Sequence, residues 1–193
     1  MQDTGSPSDS DLVVAALGDA RSYGLLVRRW EPQLGRYVRR VLGRDGQAAD
    51  DVLQEVFLKA YVNLNDFDRT RPFGPWIYRI ARNEAISLLR KKKAEPPLVT
   101  GDDALLLLER MSDGITAQET LDQVRIEEQV RAAINNIEPR YREALLLRYL
   151  EEKGYEEISE ILELPSGTVA TLINRGTKML RASLQLAASK DLL

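Results

Sequence analysis

The 193-residue chain contains neither cysteine nor histidine. Without cysteine there are no disulfides and no thiolate chemistry. With histidine also missing, the usual zinc ligands and the commonest general base are gone. Carboxylates remain, but general acid–base chemistry favours residue types that are depleted here, so the chain is expected to be no enzyme and to hold no cofactor and no metal. Aromatics are scarce at 6% while charged residues make up 30%, a balance suited to helical bundles whose cores rest on Leu, Val, Ile and Ala. Long apolar runs are lacking too: a stretch such as Ala104 to Leu108 falls far short of a membrane span. The opening MQDTGSPSDSD has neither the basic start nor the apolar centre of a signal peptide. A cytoplasmic protein without membrane insertion is therefore expected.

Net charge is only −3, but the charges are segregated. Residues 1–68 carry −3, residues 69–93 carry +7 from eight basic groups and one acidic, residues 94–128 carry −7, and residues 129–193 balance. Local patches, not the net value, decide what a nucleic acid meets.

Hydrophobic spacing predicts an all-α fold of two small helical domains joined by a flexible linker, the second domain a helix-turn-helix. Residues 1–10, rich in Ser, Asp and Gly, read as a disordered tail. A helix is expected from Asp11, with Leu12, Ala15 and Ala16 at helical spacing. The next, Tyr23 to Leu42, buries Leu26, Trp30, Leu34, Tyr37, Val38 and Val41 and leaves Arg28, Arg29, Arg36, Arg39 and Arg40 largely outside. Gly43 to Gln47 reads as a turn with Gly46 left-handed. From about Asp50 a helix buries Val52, Leu53, Val56, Phe57, Ala60 and Leu64, leaving Asp51, Gln54, Glu55, Leu58 and Lys59 on other faces. An exposed leucine beside carboxylates hints at a partner helix.

Pro72 and Pro75 make Asn65 to Pro75 a loop, which holds Phe67, Arg69, Arg71 and Phe73. Trp76 is expected to open a helix with Ile77, Ile80, Ala81, Ala85, Leu88 and Leu89 inward. Arg79, Arg82, Asn83 and Arg90 lie opposite, and Arg90 to Lys93 extends the positive charge. Rings interleaved with guanidinium groups suit splayed single-stranded bases; core plugs at Phe73 and Trp76 fit the residues equally well. Residues 94–118, with Pro96, Pro97, Gly101 and paired aspartates, form an acidic linker. The domain spanning 119–185 begins with a stripe of Leu121, Val124, Val130, Ile134 and Ile137, and Pro139 opens the next helix, expected to run to Leu150 and to bury Tyr141, Leu145 and Tyr149 or their neighbours. A short helix, Tyr155 to Leu162, then a four-residue turn containing Pro165 and a longer helix capped by Ser166 or Thr168 give the spacing of a helix-turn-helix, whose second helix enters the major groove. Residues 186–193 read as a C-terminal tail.

These segments share specific words with one family. DDVLQEVFLKAY, then Phe67, Pro72, Phe73 and Trp76 in F-x-x-x-x-PF-x-x-W, then IYRIARN and LLRKKK occur in the first domain (11–93). Arg142 to Arg148 as R-x-A-L-L-L-R, YEEISEIL and PSGTV occur in the second. In that order they resemble the bacterial RNA polymerase sigma factors of the extracytoplasmic-function (ECF) group, from about Asp11 to Leu184. The resemblance implies a factor that binds core RNA polymerase, recognises promoter DNA and promotes strand opening. It implies polymerase contacts at Asp51, Gln54, Glu55 and Leu58. Around a pocket for a flipped base of the start-proximal element it places Asn63, Asp66, Phe67, Arg71, Phe73 and Trp76, with Arg79, Arg82, Asn83 and Arg90 on phosphates. For the upstream element it implies Ser166, Thr168, Ala170, Thr171, Asn174, Arg175 and Lys178. The linker, with Asp102, Asp103, Glu109 and Asp113, is implied to thread the polymerase cleft. An anti-sigma protein is a partner common in the group.

One departure bears on promoter reading. In ATLINRGTKMLR, Ala170, Leu172 and Thr177 stand where the family often carries basic residues, leaving Arg175, Lys178 and Arg181. Fewer phosphate contacts predict looser, less salt-dependent binding of the upstream element, with small side chains favouring thymine methyls or groove shape. The competing reading from another class is a helix-turn-helix regulator that binds duplex without joining polymerase; it has no use for Gln54 and Glu55 facing outward beside Leu58. A third, a structural adaptor with both domains on proteins, leaves the phosphate-facing arginines unused.

Overall fold

The computed structural model describes residues 7–94 and 137–190, and all regular structure among them is helical. The expected linker and the stripe at Leu121, Val124, Val130 and Ile134 lie outside the described residues. The first helix, α1, spans Asp9–Gly18 and so starts inside the stretch expected to be tail. Its start is a capping box: Ser8 Oγ accepts from the Asp11 amide at 3.2 Å, and the Asp11 carboxylate accepts from the Ser8 amide at 3.0 Å. Those hydrogen bonds hold the Asp11 carboxyl below its ordinary value. Asp9 ties α1 to the next helix by accepting from Arg29 at 2.8 Å and from the Trp30 indole at 3.3 Å.

Helix α2, Tyr23–Leu42, buries Leu26, Trp30, Leu34, Tyr37, Val38 and Leu42 and carries Pro32 on its exposed side. It stops at Gly43, whose φ of 57° with ψ of −112° is open only to glycine; the positive φ expected at Gly46 belongs to this residue. Helix α3, Ala49–Val62, buries Val52, Leu53, Val56 and Ala60. A short 3₁₀ turn at Leu64–Asp66 follows, and α4 spans Phe73–Ala94. The helix thus starts three residues before the expected Trp76. Pro75 fits because it sits in the first turn, where an amide hydrogen has no intrahelical acceptor.

Helices α2, α3 and α4 pack on one another, with α1 against α2. The scarce aromatics are concentrated here. Trp30 meets Phe73 at 5.8 Å between ring centroids, Phe67 meets Phe73 at 5.4 Å and Trp76 at 5.1 Å, and Tyr37 meets Tyr78 at 5.0 Å. Tilted and edge contacts of this kind add to the burial of the rings themselves. Gly74 allows the close fit, since a Cβ there would lie 3.0 Å from the Trp30 ring.

In the second domain α5 spans Pro139–Leu145, with the proline in its first turn as expected. The chain then widens into a π-helical turn, Leu146–Leu150. The extra residue per turn rotates the apolar stripe, so Leu146 and Leu147 are buried whereas Tyr149, expected inside, is 56% exposed. Helix α6, Tyr155–Leu162, and helix α7, Ser166–Lys190, form the helix-turn-helix. Its turn is three residues long, and Glu163 takes the left-handed conformation at φ 56°. Ser166 is the first residue of α7 rather than its cap, its hydroxyl donating to Glu156. The core joins Tyr141, Leu145 and Leu147 to Ile158, Ile161, Val169, Leu172 and Ile173. Helix α7 runs beyond residue 185, into the expected tail. The two domains touch chiefly through α4 and α6.

Candidate nucleic-acid interface

Helix α3 forms a ridge between two depressions. Asp51 and Glu55 line one, with Glu84, Leu88 and Lys91. Gln54 and Leu58 line the other, with Tyr23, Leu53, Phe57 and Tyr61. Leu58 is 52% exposed and Tyr61 is 43% exposed, so this face presents apolar surface rimmed by carboxylates and amide. Tyr23 fixes its floor by donating to the Phe57 carbonyl at 2.7 Å and meeting Tyr61 at 5.0 Å between centroids. Burial pushes its phenol up. Spacing alone found Leu58, but Tyr23 and Tyr61 join the surface only through packing.

A pocket of about 370 Å³ opens beside the loop before α4, lined by Asp66, Phe67, Arg71, Trp76 and Arg79 on the first domain and by Glu160 and Glu163 on the second. Four of the six residues expected around a flipped base therefore share one cavity. Phe73 is buried behind it, against Trp30, and acts as the core plug that the residues left open. Asn63 lies outside the cavity at the end of α3, its side-chain amide donating to the Lys59 carbonyl at 2.7 Å. Asp68, also on the wall, is held below the ordinary carboxylate value by its hydrogen bonds from Thr70.

Along α4, Asn83 and Arg90 are exposed. Arg79 and Arg82 are half-buried and engaged: Arg79 pairs with Glu163 at 3.4 Å and Arg82 with Glu143 at 2.5 Å. Burial works against the Arg82 charge, but the hydrogen bond and charge of Glu143 outweigh it and hold the pKa above its ordinary value. Glu143, Glu151 and Glu163 were not legible as partners of this face. Their contacts with it span 61 to 84 residues of chain, beyond the reach of any local pattern.

On α7, Thr168, Ala170, Thr171, Asn174, Arg175 and Lys178 are all exposed, and Ser166 is half-buried. Leu172 is buried in the core, so it marks a packing position, not a lost phosphate contact. Thr177 donates to the Ile173 carbonyl at 2.8 Å. Of these three charge-poor positions, Ala170 alone is exposed.

No described helix is long and apolar enough to cross a membrane. Sequence comparison matches residues 26–95 to the family described as Sigma-70 region 2 and residues 127–180 to that described as Sigma-70, region 4. The chain is 34% identical over 172 residues to the ECF RNA polymerase sigma factor SigW of Bacillus subtilis (strain 168), covering 87% of this chain and 91% of that one. Among solved structures it is similar to CnrH in complex with the cytosolic domain of CnrY, with a TM-score of 0.68, 25% identity, and 93% and 99% of the two chains covered. The sigma factor RpoE of Bartonella quintana, solved with the anti-sigma factor NepR, shares the fold at a TM-score of 0.62 and 21% identity over 86% and 98% of the chains.

Proposed function

The chain belongs to the ECF group of RNA polymerase sigma factors, and from that membership we propose how its surfaces divide the work of starting transcription. A sigma factor directs core polymerase to promoter DNA and promotes strand opening; it is an initiation factor, and it works where polymerase is, in the cytoplasm. The exposed side of α3, with Asp51, Gln54, Glu55 and Leu58, takes a helical element of core polymerase. The pocket walled by Asp66, Phe67, Arg71 and Trp76 takes an unstacked base, with Phe73 supporting it from behind and Asn63 at a distance. Unstacking costs a few kcal/mol, which stacking and edge hydrogen bonds in the pocket offset. Arg79, Arg82, Asn83 and Arg90 follow the phosphates. The exposed side of α7, from Ser166 to Lys178, reads the upstream element. A protein of the anti-sigma kind is the further partner expected at the α3 face.

The observation that carries this reading is the partition of α3. Val52, Leu53, Val56 and Ala60 are buried, while Gln54, Glu55 and Leu58 stand in solvent one turn apart. A stable monomer gains nothing from an exposed leucine at such a position, and a helix docked there gains the full apolar area. Gln54→Ala with Glu55→Lys is expected to reduce co-purification with core polymerase by at least tenfold, with helicity and thermal midpoint unchanged. Undiminished co-purification overturns the assignment of this face.

A further inference from the structure

Helix α2 carries five arginines and a single carboxylate, Glu31. Glu31 turns toward α3, where it lines the depression with Leu53, Gln54 and Leu58. On another side Arg28, Pro32, Arg36 and Arg39, spaced by four, four and three residues, share one face and are all exposed. Among the described residues neither Arg28 nor Arg36 meets a carboxylate, and Arg39 meets only Asp50, at 3.2 Å in a pair 54% and 86% exposed, which contributes little. Arg29 and Arg40, at the edges of the face, are held by Asp9 and Glu151. Like charges at such spacings repel, so folding gains nothing from gathering them. No aromatic and no long apolar side chain lies on this face between Arg28 and Arg39, whereas protein interfaces are built on such anchors. A line of unpaired guanidinium groups suits a line of phosphates instead. Arg28 and Arg39 stand about 16 Å apart along the helix axis, and phosphates recur along a strand of duplex DNA about every 3.4 Å.

The face is reached from the base pocket. A second depression, of about 280 Å³, shares Phe67, Arg71 and Pro72 with that pocket and extends to Trp30 and Asp9. Asp9 is the residue that Arg29 holds. Arg36 follows two turns further along the same side of α2 as Arg29, close enough for its charge to act on the Tyr78 phenol of α4. We infer that this face of α2 is a second phosphate-binding track: one flank of the strand whose base enters the pocket follows α4, and the other crosses to α2 and is held by Arg28, Arg36 and Arg39. The inference rests on reading the cavity beside Trp76 as a base pocket. It gives the arginines of α2 a ligand, the sugar–phosphate backbone of a single DNA strand, recognised by charge and independent of sequence.

The test uses holoenzyme assembled from core polymerase and the full chain, with a promoter isolated from a random library by run-off transcription with the natural holoenzyme. Arg28→Gln/Arg36→Gln removes two exposed charges. Promoter affinity is expected to fall about tenfold at about 0.1 M salt, and the slope of log K against log salt to lessen by about 1.4, two contacts at ~0.7 each for a single strand. Arg28→Lys/Arg36→Lys keeps the charges and is expected to keep the slope. Trimming one flank of the captured strand is expected to abolish the difference between natural and Gln holoenzymes, and trimming the other flank to leave it. Removing the complement opposite the sensitive flank is expected to leave it too. An unchanged slope in the Gln variant overturns the track, as does a difference that survives trimming of both flanks. A difference that disappears with the complement overturns it in favour of a duplex contact. Weaker assembly with core polymerase at an unchanged slope overturns it in favour of a protein contact. A scan of single abasic sites along the strand tests the pocket by itself. One sensitive position is expected; finding none overturns the pocket reading and the strand path that starts there, even where the slope lessens.

Discussion

A hydroxyl buried without a hydrogen-bond partner costs about 1–3 kcal/mol relative to a satisfied one, and Tyr37 carries such a group against Tyr78 at the centre of the first domain. Tyr37→Phe keeps the ring and removes the orphaned oxygen, so thermal unfolding is expected to show a gain of about 1 kcal/mol. The same phenol sets a pH limit. Burial first, then the charge of Glu143, raises its pKa well above the ordinary 10.0, so the folded state keeps a proton that the unfolded state releases. Its contribution is fully present below pH 10 and is lost as pH rises above that value. Melting curves between pH 9 and pH 12 are expected to fall less steeply for Tyr37→Phe than for the natural chain. At this scale the sequence was partly legible. Helical spacing put Tyr37 in the core, but nothing near it in the chain shows that its oxygen lacks a partner.

Elements were more legible than residues, because apolar spacing repeats over several turns. The stripes of α2 and α3 follow from that spacing, as does the proline opening α5. The differences occur where local chemistry outweighs periodicity. Ser8 and Asp11 start α1 early by capping each other, and the signal was present as Ser-x-x-Asp ahead of an apolar run. Pro75 looked like a breaker but lies in the first turn of α4, a position a proline tolerates. The π-helical turn after α5 has no such signature, and it moved Tyr149 outward. On α7 the structure sharpens the expectation about promoter reading: with Leu172 in the core and Thr177 bonded to its own helix, the exposed cations among the described side chains are Arg175, Lys178 and Arg181. So small a set supports few counterion-releasing contacts. In run-off transcription, scrambling the upstream element is expected to cost on the order of tenfold; a loss of several orders of magnitude would show tight reading instead.

For the molecule as a whole, the arrangement of the two domains is what the sequence concealed. Segregated charge was visible, with +7 over residues 69–93, but not that glutamates of the second domain would meet it. Closure that depends on ion pairs responds to ionic strength. Between about 0.1 M and 1 M salt the screening length falls from ~10 Å to ~3 Å. The radius of gyration from small-angle scattering is therefore expected to grow over that range for the natural chain, and to be large and nearly constant for Glu143→Gln/Glu151→Gln. A radius independent of salt in both would show that something other than charge holds the domains together.

The partners Arg40 and Glu151 are 111 residues apart in the chain, and that separation is also a delay. During synthesis, at about 5–20 residues per second, Glu151 follows Arg40 by roughly 6–22 s. Through that interval the nascent first domain stands without the carboxylates that the second domain supplies to Arg40 and Arg82. Each newly made molecule thus passes through a stage in which those two arginines have yet to meet Glu151 and Glu143.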